Sequence, residues 1–186
     1  MKSIVKSLHD GVVSRSLRTR SGSAAVEFAI IAPVLIVLYF GGVDLTLALT
    51  CNQKIKHATG VVADLVAQSV KLNPEEVVEY FTAADAVLQP YKSKPLAISV
   101  SVLTIDANGL AKVAWSSARG MTKRKAGSTF SLPPGLTTPE QKSLVIAEST
   151  YAYAPLTRFV TTGTFNLSET VYARPRGRAA ILCPNC

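Results

Sequence analysis

Few residues in this chain could do chemistry, and the sharpest pattern among them is Cys183-Pro184-Asn185-Cys186. A thiol pair at this spacing exchanges disulfides when its pKa is depressed. Such a motif works at the start of a helix inside a βαβ unit, whereas this pair closes the sequence, where a terminal carboxylate on Cys186 would oppose thiolate formation by like charge. A structural disulfide is therefore expected, with Cys183 joined to Cys186 or to Cys51 and the third cysteine free. Two thiols do not fill a tetrahedral zinc site. The only histidines, His9 and His57, fall on opposite sides of a long apolar segment and cannot join them or each other. Glu75, Glu76 and Glu79 follow Asn73-Pro74 and read as the acidic first turn of a helix rather than as a carboxylate dyad. With no phosphate-cradling glycine loop and no nucleophile elbow, the expectation is a protein that is not an enzyme and holds no cofactor or metal.

The charges carry more information by position than by sum. The formal charge of +8 would ordinarily raise nucleic acid as a partner. Residues 1–22 hold Lys2, Lys6, Arg15, Arg18 and Arg20 against Asp10, while residues 23–50 hold only Glu27 and Asp44. The basic run Lys123-Arg124-Lys125 lies in a stretch rich in Gly, Pro, Ser and Thr, without aromatic interleaving, and reads as a solvated loop, so no nucleic-acid partner is expected.

Between these charges, Ala24 to Leu49 runs for 26 residues broken only by Pro33, Gly41 and Gly42. A span needs about 20 apolar residues, and the 17 steps from Glu27 to Asp44 cover roughly 25 Å as a helix, which sets the two carboxylates near the two edges of the hydrocarbon. A soluble core helix would show a polar face, and Phe28 to Val43 has none. A secretory signal has a shorter apolar core than this one. Three arginines before the segment, against Lys54 and Lys56 after it, keep the N-terminus in the cytoplasm and send residues 51–186 outward. The division expected is a basic cytoplasmic leader (1–22), a transmembrane helix (23–50) and an exported domain (51–186). Within the span, Ala25, Ala29 and Ala32 form a small-residue stripe on which another helix can pack closely, and Glu27 is an ionisable group that needs a partner there.

The stretch Arg20-Ser21-Gly22-Ser23-Ala24-Ala25-Val26-Glu27-Phe28-Ala29, followed by Ile30-Ile31-Ala32-Pro33, resembles the start of TadE/TadG-type proteins of the tight-adherence (Flp) pilus system. In TadE-like pseudopilins a prepilin peptidase cuts after a glycine, and the fifth mature residue is a glutamate followed by an aromatic, usually tyrosine. Gly22, Ser23, Glu27 and Phe28 fit that pattern, with Phe28 in place of tyrosine. TadG-like relatives share the opening and stay uncut, so both forms remain open. Further on, Tyr151-Ala152-Tyr153-Ala154-Pro155 and Tyr172-Ala173-Arg174-Pro175-Arg176 are similar to Y-x-Y-x-P and Y-x-R-P-R segments of the family, while residues 72–143 match no motif. The resemblance implies a single-pass protein of a bacterial inner membrane, with its domain periplasmic or extracellular, or built into the pilus. Its implied partners are the lipid bilayer, the prepilin peptidase, and other membrane subunits and pilins of the system. It implies a minor pilin-like component or an assembly factor; the alternatives from other classes are a membrane-tethered periplasmic thiol oxidoreductase and an uncut, anchored adhesin or binding module.

The remaining pattern predicts an α+β domain. Ile55, Ala58, Val62, Val66 and Ser69 repeat at helical spacing, so the membrane helix continues to about Leu72. Asn73-Pro74-Glu75-Glu76 starts a second helix, ending near Leu88 before Pro90 and Pro95. Alternation from Leu96 to Ile105 and from Leu110 to Trp115, around Asp106-Ala107-Asn108-Gly109, predicts a hairpin. Gly120 to Pro139 reads as an exposed loop, and 144–153, 165–172 and 179–182 as further strands. The expected architecture is a long N-terminal helix packed on a mainly antiparallel, pilin-like sheet.

Overall fold

The computed structural model describes residues 20–136, 142–157, 163–177 and 180–186, so His9 and most of the basic leader lie outside the described residues. Helix α1 runs unbroken from Arg20 to Gln68, 49 residues. At about 1.5 Å per residue it is some 73 Å long, more than twice the thickness of a bilayer's hydrocarbon. Pro33 sits inside it and offers no N–H to the Ala29 carbonyl. From Val26 to Phe40 its large apolar side chains stand exposed, whereas from Cys51 onward one face is buried. The buried stripe comprises Cys51, Ile55, Ala58, Thr59, Val62, Ala63, Val66 and Ala67, which is the spacing of a single helix face.

The helix stops four residues earlier than its apolar period suggests. Leu72 is buried as expected, but its N–H goes to the Leu182 carbonyl (2.8 Å) and the Leu182 N–H goes to the Val70 carbonyl (3.2 Å). A tail segment far away in sequence thus takes the backbone groups that a further helical turn would use. Helix α2, Pro74–Leu88, starts where the sequence predicts: the Asn73 N–H donates to Glu76 Oε2 at 2.7 Å, and Val77, Phe81, Ala84 and Leu88 are buried along one side. Asp85 on α2 receives two hydrogen bonds from Arg119, at 2.6 and 2.8 Å, tying the helix to the edge of the sheet.

Five strands form one sheet in the order β3-β2-β1-β4-β5, with every strand pair antiparallel. They are β1 (Leu96–Ile105), β2 (Ala111–Arg119), β3 (Thr129–Phe130), β4 (Ser143–Tyr153) and β5 (Phe165–Ala173). The β1–β2 turn is locked by Asp106, whose Oδ1 accepts from the N–H of Asn108 (2.9 Å) and of Leu110 (2.8 Å). Gly109 takes the positive φ of 79° that this turn requires. A register shift opposite Val102 and Leu103 marks a bulge in β2, where Ala114 is the extra residue between Val113 and Trp115. One sheet face, with Ile98, Val100, Val102, Trp115, Val145, Tyr151 and Tyr153, packs with the helices into the main core. On the opposite face, Leu103, Ala111, Val113, Leu144 and Ile146 make a second cluster, against which Phe130 and Leu132 pack.

That second cluster corrects two expectations. The stretch from Gly120 is not simply an exposed loop, because it contributes β3 and folds Phe130 and Leu132 over the sheet; its last part, 137–139, lies outside the described residues. Nor is 179–182 a strand: Ala179 lies outside the described residues, and Leu182 makes only an isolated parallel bridge with Lys71. The α+β arrangement of a long apolar helix on an antiparallel, pilin-like sheet is otherwise as expected.

Candidate functional site

The residues singled out near the start of α1 all lie on its exposed half. Ser23 and Glu27 are one helical turn apart, and the Ser23 hydroxyl donates to Glu27 Oε1 at 3.2 Å. Phe28 is exposed, as are Gly22, Ala25 and Ala29, while Ala32 is half-buried. The small side chains at 25, 29 and 32 leave a shallow stripe along a helix whose neighbours, Val26, Ile30 and Ile31, are large and exposed. Ser23 and Glu27 are thus placed side by side, about 6 Å apart along the axis, on a surface with no polar side for water.

The change from exposed rod to packed helix occurs at Asp44. The residue is 9% exposed, and its carboxylate accepts hydrogen bonds from both the N–H of Thr157, at 3.2 Å, and the Thr157 hydroxyl. Asp44 therefore does not simply mark an edge of the apolar segment; it is held by the loop after β4. One turn on, the Tyr91 hydroxyl donates to the Leu47 carbonyl (3.1 Å) and the Tyr151 hydroxyl to the Lys92 carbonyl (3.1 Å). Cys51 is buried in the core with these aromatic residues. Burial pushes its thiol up to about 11, and burial likewise raises Tyr91, Tyr151 and Tyr153, with smaller contributions from their acidic neighbours, Cys51 among them. At neutral pH Cys51 is a thiol, which is neither a nucleophile nor a metal ligand.

This junction gives the Tyr151-Ala152-Tyr153-Ala154-Pro155 motif a physical role. Strand alternation puts Tyr151 and Tyr153 on the same face of β4, and that face meets α1. Higher up, the Thr59 and Ser149 hydroxyls share a buried hydrogen bond of 2.6 Å, and Asn52 Nδ2 donates to Glu169 Oε1 at 3.0 Å. The second motif closes the other end of the helix. The Arg176 N–H donates to the Ala67 carbonyl (3.0 Å), one of the last carbonyls of α1, and its guanidinium meets Asp64 at 3.4 Å. The two C-terminal motifs thus fasten β4 and β5 to opposite ends of the packed half of α1.

Of the two connectivities left open, the structure joins Cys183 to Cys186, with Cα atoms 5.6 Å apart, and leaves Cys51 unpaired. This loop is held down by the Trp115 indole, whose N–H donates to the Ile181 carbonyl (2.9 Å), and by Lys123, whose Nζ donates to the Cys186 carbonyl oxygen (2.8 Å). The basic run is accordingly more than a set of solvated charges. Arg124 makes a forked pair with Glu148, at 2.6 to 3.1 Å, and covers the Phe130 ring at 4.7 Å. His57 is exposed on α1. Among the described residues, no group of three or more His, Cys, Asp or Glu side chains is placed to hold a metal ion.

Residues 22–64 carry a TadE-like family domain, matching the family described as TadE-like protein. The TadE-like stretch opens at Gly22 and closes at Asp64, so it takes in the exposed half of α1, the Asp44 junction and most of the buried stripe. Residues 65–186, with the whole sheet, lie beyond it. Comparison with curated proteins and with solved structures finds no match. Helix α1, which contains the whole of this stretch, is the one helix among the described residues that is long and apolar enough to cross a membrane, a test of length and composition that a signal sequence also passes.

Proposed function

We propose that this chain is a minor pilin-like component, or a membrane-anchored assembly factor, of a tight-adherence pilus. The observation that carries the proposal is the TadE-like match on a helix whose apolar half continues without a break into the half that holds the sheet. In this reading residues 1–22 are a cytoplasmic leader, residues 23–50 cross the inner membrane, and residues 51–186 are periplasmic, extracellular or part of the fibre. The protein works by packing rather than by catalysis. Ala25, Ala29 and Ala32 receive a neighbouring helix, from a pilin, another subunit or a second copy. Glu27 pairs with a cation on that neighbour or with the amine that cutting at Gly22 would create on Ser23. Removing the gene from a strain that makes such fibres, then restoring it with or without Glu27→Ala, tests the reading: fibres should disappear with the gene and return only with Glu27 present.

The oxidoreductase alternative draws on the Cys183-Cys186 pair alone. Its test is independent, because changing both cysteines to serine should leave fibre formation intact. Loss of disulfide exchange on a model substrate, with fibres unaffected by removal of the whole protein, would reverse the choice. An uncut adhesin anchored by α1 shares the architecture and is separated by whether removal abolishes fibres or only attachment.

A further inference from the structure

We propose that the end of the folded domain nearest Asp44 is a second membrane-contacting surface, which docks on the anionic phospholipid interface beside the point where α1 leaves the bilayer. The inference rests on the reading that residues 23–50 span the membrane. It starts from depth. Counting about 20 helical residues for the hydrocarbon from Ala24 brings Val43 to its far edge and Asp44 into the headgroup region. Asp44 is bonded to Thr157 through both the N–H and the hydroxyl, so the loop after β4 is fixed at that same depth. The residue before Thr157 is Leu156, 79% exposed, and no other large apolar side chain among the described residues is as exposed. Phe165, which starts β5 opposite Tyr153, is also exposed. On a domain surrounded by water these side chains would gain nothing; at a headgroup boundary they reach acyl chains.

A second loop stands at the same level. Tyr91 donates to the Leu47 carbonyl and Tyr151 to the Lys92 carbonyl, which sets Lys92 and Lys94, both exposed, next to the helix exit. One loop is apolar and the other is basic. Lysines near a membrane surface gain from anionic lipid phosphates, and their aliphatic stems lie along the apolar boundary. Together the loops form a collar that fixes how the domain sits on the membrane, through α1 and through two further points.

The test uses the full chain in nanodiscs, with Ala154→Cys carrying a polarity-sensitive fluorophore so that Leu156 stays intact; Cys51 is buried and the other two cysteines are bonded. Val70→Cys at the far end of the packed helix and Leu35→Cys in the apolar half serve as references. In discs with anionic lipid, the probe at 154 should be quenched by a lipid quencher placed just below the headgroups and be severalfold less accessible to iodide than the probe at 70. Adding Leu156→Asp should restore iodide access. Lys92→Glu with Lys94→Glu should reduce the shielding to its level in zwitterionic discs, as should high salt. Iodide access at 154 equal to that at 70, with 35 still quenched by lipid, overturns the collar while leaving the span in place. Iodide access at 35 overturns the span and the collar with it. Shielding at 154 that ignores lipid charge and both lysine changes overturns the phosphate contact.

Discussion

Cys51 sits two helical turns past Asp44, at the start of the buried stripe of α1, and its chemistry is silenced by its surroundings. A thiol pushed by burial from 9.0 to about 11 keeps its proton in the folded chain after the unfolded chain has lost it. The folded form is then favoured fully below pH 9 and progressively less as pH rises toward 11, with Tyr91, Tyr151 and Tyr153 adding to the same decline because burial raises them too. Thermal unfolding followed across alkaline pH should show a plateau up to about pH 9 and a fall above it. In Cys51→Ala the fall should begin nearer 10, the ordinary tyrosine value; a decline already under way at neutral pH would contradict the assignment. Asp44 offers a second test, since Thr157→Val removes one of its donors and leaves a nearly buried carboxylate short of a hydrogen bond. The cost should be about 1–3 kcal/mol, read as a lower unfolding midpoint. Nothing in the local sequence marks Asp44 as bonded, because its partner is a loop threonine more than a hundred residues away; its position one helical turn before Ala48 and two before Cys51 was the available sign that it faces the domain.

The elements divide by whether their signal is local. Helix α2 could be read because Asn73-Pro74-Glu75-Glu76 carries its own start and Val77, Phe81, Ala84 and Leu88 their own face. The hairpin could be read because Asp106 and Gly109 build the turn from neighbours. What escaped was made by distant partners: the end of α1 is set by Leu182, and Phe130 and Leu132 are drawn onto the sheet by a second apolar face. That face was legible in part. Leu103 and Ile105 fall on the opposite side of β1 from Ile98, Val100 and Val102 by plain alternation, but the extra residue Ala114 in β2 puts Val113 and Trp115 on opposite faces despite their spacing of two, and nothing local announces it. The packing makes its own prediction for α2. Phe81 is buried against the main core and lies under the Arg119 guanidinium, whereas Val78, three residues earlier, is exposed. Phe81→Ala should therefore cost about 3–5 kcal/mol, and Val78→Ala should stay within about 0.5 kcal/mol, a contrast that chemical denaturation of the detergent-solubilised chain can measure.

At the scale of the whole molecule, α1 is exposed and apolar along one half and packed against the sheet along the other, and the proposed functions of the two halves can be separated by mutation. If the apolar half spans the membrane with its arginine flank in the cytoplasm, protease added to spheroplasts should digest the domain beyond residue 51. Survival of that domain until the cells are lysed would reverse the orientation. The proposed cut between Gly22 and Ser23 then tests the other end. Glycine offers no side chain to obstruct a peptidase, so Gly22→Ala should slow cutting and a bulky charged replacement should stop it, leaving a chain whose mass begins at Met1. Glu27 acts later in this scheme. It lies one turn from Ser23, whose hydroxyl already reaches its carboxylate at 3.2 Å, so a new amine at Ser23 would appear beside a waiting anion in apolar surroundings. Glu27→Ala should consequently yield a chain of the cut mass that assembles poorly. Glu27→Asp, which keeps the charge on a shorter arm, should restore part of the assembly. Mass spectrometry of the membrane form and fibre counts on the same cells read the two steps separately, and an uncut Glu27→Ala chain would show that the glutamate belongs to recognition by the peptidase and not to the register between neighbouring helices.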